Sequence, residues 1–293
     1  MKHTGLPPQE LISPFFRRLI QKQGHPKELI RQVYPDAREK RHCCTELDPL
    51  GDKSHFKSGI IQRFKNRVLL ITSAKCFSQC RFCFRQNILS AFQGISTFSE
   101  CDTITASLKN YNAVSEIILS GGEPFCMEPE ILNYLIAGIG RINTIKTIRI
   151  HTRMPVFNPG VLKKKTIKIL QGSGKIIVIV VHINHALEIS NECAQTLLEL
   201  SKSGFVVLAQ SVLLAGINDS FAALSRLYKA LAACRTLPYY LHQLDNAQGN
   251  AHFFVPEEKG KRMIRRLRDE IPGYLVPRYV RDGKNFNAKK NLI

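Results

Sequence analysis

Six apolar, strand-like runs alternating with longer amphipathic stretches predict an α/β fold: a partial (β/α)6 TIM-like barrel with a helical N-terminal lead-in and a C-terminal extension. A second observation points the same way. Each cluster of chemically suggestive residues falls just after one of these runs, at the strand ends where barrel enzymes carry their chemistry. The third is size, since 293 residues of 44% hydrophobic composition suffice for one large core.

The elements follow in chain order. Residues 1–55 are punctuated by proline and carry apolar residues at helical spacing around 14–20 and 26–33, which predicts short helices rather than an independent core. The barrel is expected over 56–250. Its strands are read at 67–72, 116–119, 147–151, 175–181, 205–211 and 239–244, rich in Val, Ile and Leu as parallel strands buried on both faces should be. Helices are read between them at 99–109, 128–139, 161–171, 190–203 and 219–235, the fourth capped by Ser190 or Asn191 and stopped at Gly204. Residues 251–293 form the extension, with a helix at 256–270, a strand-like run at 274–280 and a basic tail.

Composition bounds the rest. The formal charge of +19 favours acidic partners, a nucleic acid or an acidic protein surface, but basic runs such as Lys163-Lys-Lys165 read first as solvated helix faces. No apolar run approaches the roughly 20 residues of a membrane span, and the first residues lack the layout of a signal peptide. With nine unevenly spaced cysteines, this predicts a cytoplasmic chain whose thiols stay reduced.

Three of those thiols dominate the chemistry. Cys76, Cys80 and Cys83 follow the first strand at C-x3-C-x2-C spacing, with no fourth cysteine in the run. A structural zinc site closes with four ligands. Three thiolates from one loop suit a [4Fe-4S] cluster whose fourth iron stays open. The other cysteines read as small buried hydrophobes, with the adjacent pair Cys43–Cys44 as an adventitious metal site to watch. After the second strand comes Gly121-Gly122-Glu123-Pro124, in which two glycines permit close backbone approach and a carboxylate can accept from an ammonium.

With these two motifs in this order the chain resembles the radical S-adenosylmethionine superfamily. Within it the chain resembles the lysine 2,3-aminomutases, most of all their elongation factor P-associated branch. The segments that carry the likeness include Arg67-Val-Leu-Leu-Ile-Thr72, Ile148-Arg-Ile-His-Thr-Arg-Met-Pro155, Val181-His-Ile-Asn-His-Ala-Leu-Glu188, Gln210-Ser211 onward, and Leu237-Pro-Tyr-Tyr-Leu-His-Gln-Leu-Asp245. The resemblance implies an isomerase of the radical S-adenosylmethionine barrel type, converting (S)-α-lysine to (R)-β-lysine. Its cofactors would be a [4Fe-4S] cluster, S-adenosyl-L-methionine and pyridoxal 5'-phosphate. It assigns Gly121, Gly122, Glu123, Arg153 and Gln210 to cofactor binding, and Arg63 and Arg67 to the pyridoxal phosphate. Arg85 becomes the clamp on the substrate carboxylate, Asp245 and Asp282 the holders of the side-chain ammonium, and Lys289 the catalytic, cofactor-bearing lysine. An electron-donor protein is implied as well.

The tail departs from that pattern. Gly283-Lys-Asn-Phe-Asn-Ala-Lys-Lys-Asn-Leu-Ile293 keeps one glycine, lacks the family's closing proline, and sets Lys290 beside Lys289. Two other readings stay open at this level: a radical enzyme acting on RNA or another substrate, which the charge would explain, and a non-catalytic iron–sulfur descendant, which the tail would explain.

Overall fold

The computed structural model describes residues 11–40, 46–89, 92, 94–284 and 288–293; the Cys43–Cys44 pair lies outside them. Helices α1 (Pro14–Lys22) and α2 (Lys27–Val33) open the described chain, as the spacing predicts. The Ser13 hydroxyl caps α1 by accepting the Phe16 N–H (3.1 Å) and donates to the Phe157 carbonyl (2.6 Å). Phe16 then meets Phe157 edge-on with centroids 5.1 Å apart, so the lead-in is packed onto the barrel.

A feature the sequence reading missed comes next. β1 (Phe56–Lys57) and β2 (Ile60–Phe64) form an antiparallel hairpin that pairs with β3 (Arg67–Ser73). The polar Gln62 and Arg63 within β2, and strands this short, hide the apolar pattern by which strands are recognised. After β3 and the cysteine loop come α3 (Gln86–Leu89) and α4 (Phe98–Leu108), the latter started by a Thr97–Glu100 capping box. The alternation then runs through β4 (Glu116–Gly121), α5 (Pro129–Gly140), β5 (Thr147–Thr152), the short α6 (Met154–Phe157), α7 (Lys164–Gln171), β6 (Ile176–His182), α8 (Asn191–Lys202), β7 (Val206–Val212), α9 (Phe221–Ala233) and β8 (Leu237–His242). It ends with α10 (Glu257–Glu270), β9 (Arg278–Arg281) and β10 (Lys290–Asn291).

The described strands make one sheet ordered β1 to β10, with β3 to β9 parallel and the hairpin and β10 antiparallel at the two edges. The six predicted parallel strands are present, and a seventh, β9, joins them. The run read as a strand at 274–280 is a 3-10 turn at Gly273–Leu275 followed by β9, because Pro277 breaks the ladder's donor sequence. The sheet begins at Phe56 and continues past residue 250 to Asn291.

The expectation of strands buried on both faces needs correction. β3 and β6 are buried along most of their length, but β5 and β7 alternate. Ile148, Ile150, Ile177, Ile179, Val207 and Leu241 share one core with the helices. Arg149, His151, Gln210, Tyr240 and His242 are only half buried. A partial barrel leaves its inner wall unfilled by layered side chains, and that wall can remain polar. The run Lys163–Lys165 presents an exposed basic face, as read, and so do Arg262, Arg265, Arg266 and Arg268 on α10. Among the described residues no helix is long and apolar enough to cross a membrane.

Candidate active site

The site forms at the C-terminal ends of the parallel strands, where the cysteine loop and the glycine turn interlock. Gly122 N–H donates to the Ser73 carbonyl (2.7 Å) and Glu123 N–H to the Lys75 carbonyl (2.8 Å), so the turn after β4 is stitched to the start of the loop after β3. Gly121 sits at φ +110°, and a Cβ there would lie 2.6 Å from the Ile71 side chain. A Cβ on Gly122 would strike the Lys75 carbonyl and come within 2.9 Å of Ala74 C and Ser73 O. These glycines serve first to bring the two loops together. Gly122→Ala is therefore expected to cost about 1–3 kcal/mol by overpacking. It should lower both the thermal midpoint and the iron retained after reconstitution; normal iron with an unshifted midpoint would refute the interlock.

Glu123 is buried, and its carboxylate ties β4 to β5. Oε1 accepts from the Thr152 hydroxyl (2.7 Å) and the Phe125 N–H (3.3 Å), and Oε2 from the Arg153 N–H (2.8 Å). Burial pushes its carboxyl up to about 7 against these donors. The sequence reading gave Glu123 to a ligand ammonium; here both oxygens are engaged in joining strand ends, and Oε2, with one bond, keeps a further lone pair.

The thiols of Cys76, Cys80 and Cys83 lie partly exposed on one loop. Burial, with the neighbouring Cys80, raises Cys76 and pushes Cys83 up to about 11, so ligation itself must take the protons. Among the described residues no three His, Cys, Asp or Glu side chains gather tightly enough to hold a single metal ion. Three thiols acting on one another from a single loop fit ligands to separate irons of one cluster. Cys101, Cys193 and Cys234 are buried, as read, while Cys126 is half exposed and acts electrostatically on Cys76.

Arg153 lies beside this loop. Its Nη1 donates to Cys80 Sγ (2.9 Å), its Nη2 to Glu188 (2.6 Å) and Gln32 (3.0 Å), and its guanidinium lies 4.4 Å from the Phe157 ring centroid. Sequence reasoning assigned no role to Glu188, Gln32 or Asn184. Glu188 and Asn184 lie in a segment already singled out, whereas Gln32 looks like any polar residue on an N-terminal helix.

The second half of the site gathers Asp245, Asp282 and Lys289 with Arg85, which follows the cysteine loop. Lys289 Nζ lies 2.6 Å from Asp282 Oδ2, and Arg63 Nη2 lies 3.1 Å from Asp282 Oδ1 while donating to the Gly283 carbonyl (2.6 Å). Burial works to raise Asp282, but Lys289 and Arg63 overcome it and hold the carboxyl at about 2. Burial pushes Asp245 up to about 7, with Lys289 and Arg85 pulling the other way. Arg85 Nε donates to Asp52 (3.0 Å), a buried carboxylate the sequence reading passed over. Arg63 and Arg67 flank the Phe64 ring at 5.7 and 4.0 Å. Gln210 is in register with His182 on β6 and Tyr240 on β8, and the Tyr240 ring centroid lies 5.9 Å from Lys289 Nζ.

Burial first, then the surrounding cations, drive His151 and His242 well below the usual imidazole range. Both are neutral at pH 7, and His151 Nε2 has no partner among the described residues. A half-buried lysine amine, two arginines beside one ring and this unsatisfied polar wall fit an anionic, aromatic, carbonyl-bearing cofactor.

Residues 66–182 match the family of 4Fe-4S single cluster domains. The chain is 36% identical over 268 residues to the L-lysine 2,3-aminomutase of Buchnera aphidicola subsp. Baizongia pistaciae, covering 90% of this chain and 78% of that one. It is 33% identical over 235 residues to the L-lysine 2,3-aminomutase of Escherichia coli K12, covering 80% and 68%. Streptococcus suis SuiB bound to S-adenosylmethionine superposes on 75% of this chain and 51% of its own, with a TM-score of 0.54 at 16% identity. A radical SAM methyltransferase from Sphaerobacter thermophilus covers 75% and 68%, with a TM-score of 0.52 at 18% identity. At those identities the two structures speak for the barrel fold alone.

Proposed function

The chain belongs to the L-lysine 2,3-aminomutase family of radical S-adenosylmethionine enzymes, and from that premise we propose that it converts (S)-α-lysine to (R)-β-lysine. The observation that carries this reading is the gathering of Asp245, Asp282 and Lys289 with Arg85, which stands two residues past Cys83. Lysine brings one carboxylate and two amines, and that set supplies one guanidinium and two carboxylates. Arg85 grips the carboxylate, a task suited to a planar fork of donors. Asp245 and Asp282 hold the side-chain ammonium, which one carboxylate alone would leave poorly paired in a dry pocket.

Cys76, Cys80 and Cys83 hold the cluster. Gly121, Gly122, Glu123, Arg153 and Gln210 surround the S-adenosylmethionine, and Arg63, Arg67 and Lys289 hold pyridoxal phosphate. Bound there, the first two cofactors supply carbon-radical chemistry and the third a carbonyl carbon able to carry the migrating nitrogen. The chain's own residues fix the lysine between the two halves of the site and keep competing hydrogen donors away. The cluster would take its electron from a separate donor protein. The β-lysine passes to a separate ligase that modifies elongation factor P, a role supported by the segments shared with that branch.

Anaerobic reconstitution with iron, sulfide and pyridoxal phosphate, followed by incubation with lysine, S-adenosylmethionine and reductant, is expected to yield β-lysine. A full cluster that cleaves S-adenosylmethionine without β-lysine would assign the chain another substrate. Asp245→Ala removes one partner of a desolvated charge pair and should weaken lysine binding by about 2–5 kcal/mol with the cluster intact; turnover at the parent KM would displace the substrate from this site. The same carboxyl sets a pH dependence. Raised to about 7 by burial, Asp245 is charged above that pH and neutral below it, so lysine affinity should fall as pH drops through 7. In Asp245→Asn that inflection should vanish, leaving Asp282, held at about 2, ionised throughout.

A further inference from the structure

The cysteine loop is gripped from its N-terminal side by residues far away in sequence. Gln79 N–H donates to the Leu11 carbonyl (2.8 Å), Arg81 N–H to the Gln32 carbonyl (2.9 Å), and Ser13 N–H to the Ser78 hydroxyl (2.9 Å). The Arg81 guanidinium is paired with Glu39 in a buried salt bridge. Lead-in and loop are one structural unit.

At its centre lies a buried polar network that ends on a cluster-loop sulfur. The Gln32 side chain, fully buried, accepts from Arg153 Nη2 (3.0 Å) and Asn184 Nδ2 (3.0 Å) and donates to Glu188 Oε1 (3.0 Å). Glu188, also fully buried, accepts from the Asn184 and His185 N–H groups (both 2.8 Å) and from Arg153 (2.6 Å). With Nη2 held at both acceptors, the remaining Nη1 is aimed at Cys80 Sγ (2.9 Å). Both amino groups of Arg153 are thus engaged, and a buried network of this kind fixes the orientation of the groups it joins.

We propose that Gln32 and Glu188 are positioning residues which hold Arg153 as a charged donor to the Cys80 sulfur, so that the lead-in helix sets the reduction potential of the cluster. Hydrogen bonds to cluster sulfurs and nearby positive charge favour the more negative, reduced cluster and raise its potential. The lead-in then contributes to the redox step itself, beyond packing against the barrel. The inference rests on the ligand set proposed above.

The test is a redox titration of the reconstituted cluster, followed by electron paramagnetic resonance without S-adenosylmethionine or lysine, with iron content measured alongside. Arg153→Met is expected to keep its iron and shift the potential to more negative values. Gln32→Met changes no charge and should shift it in the same direction by less. In the double variant Gln32→Met should add nothing, because its effect runs through Arg153. An unchanged potential in Arg153→Met with full iron overturns the proposal, as does an equal Gln32→Met shift with and without Arg153. Should Arg153→Met lose its iron, Arg153→Lys retains a charged donor and must hold the cluster; loss there too would make the network's role purely structural. Parent protein that takes up no cluster would instead fail the ligand assignment, which separates the two ideas.

Discussion

Reconstituted Cys80→Ser protein is expected to lack the [4Fe-4S] absorbance and to cleave no S-adenosylmethionine, the largest loss any single substitution here should cause. Three thiolates, each on its own iron, leave no redundancy, and a serine hydroxyl is a harder and poorer ligand than a thiolate. The informative control is Cys126→Ser. Cys126 follows the glycine turn and is close enough to act electrostatically on Cys76, so it is the described thiol best placed to compete as a ligand. It should keep both cluster and cleavage, as should Cys43→Ser and Cys44→Ser. A cluster lost with Cys126 would mean that the glycine turn supplies a ligand and that the three-cysteine loop is incomplete.

The second large effect concerns Lys289. Borohydride treatment of pyridoxal-loaded protein should fix the label on Lys289, and Lys289→Ala should abolish both the label and β-lysine formation. The physical case lies in strand geometry. Lys290 opens β10, pairs with Arg281 and faces solvent, while Lys289 points the other way, with its amine on Asp282. Lys284, the third candidate in the tail, is engaged with Glu46 at 2.8 Å. The ion pair fixes the Lys289 amine at the mouth of the site; a nucleophilic lysine must surrender its proton to react, so that pair has to open as the cofactor binds. Label on Lys290 or Lys284 would shift the register of the tail. An unlabelled protein with an intact cluster would remove pyridoxal phosphate from the reading and leave a radical enzyme of another substrate.

What could be read from the chain alone was what is local. The six strand runs and the helices between them lie within a few residues of their observed positions, because apolar periodicity and caps such as Ser190 act within one or two turns. The cysteine loop was legible for the same reason: its three thiols are contiguous, and spacing is enough to suggest the cofactor class. The β1–β2 hairpin was not, since two- and five-residue strands with polar members carry too little pattern.

Folding alone decided which distant residues meet. Gln32 and Glu188 are 156 positions apart, and Arg63 and Asp282 are 219 apart. Nothing local marks Gln32, Glu188 or Asp52 as more than a helix or turn residue. The tertiary structure also settled the polarity of the inner wall, where the same strands that looked buried on both faces set arginine, histidine and tyrosine toward the barrel interior. Spacing along a chain determines which groups one loop can offer. Which charges must share a pocket, and which carboxyl is therefore pushed up or held down, depends on burial and on partners that only long-range packing brings together.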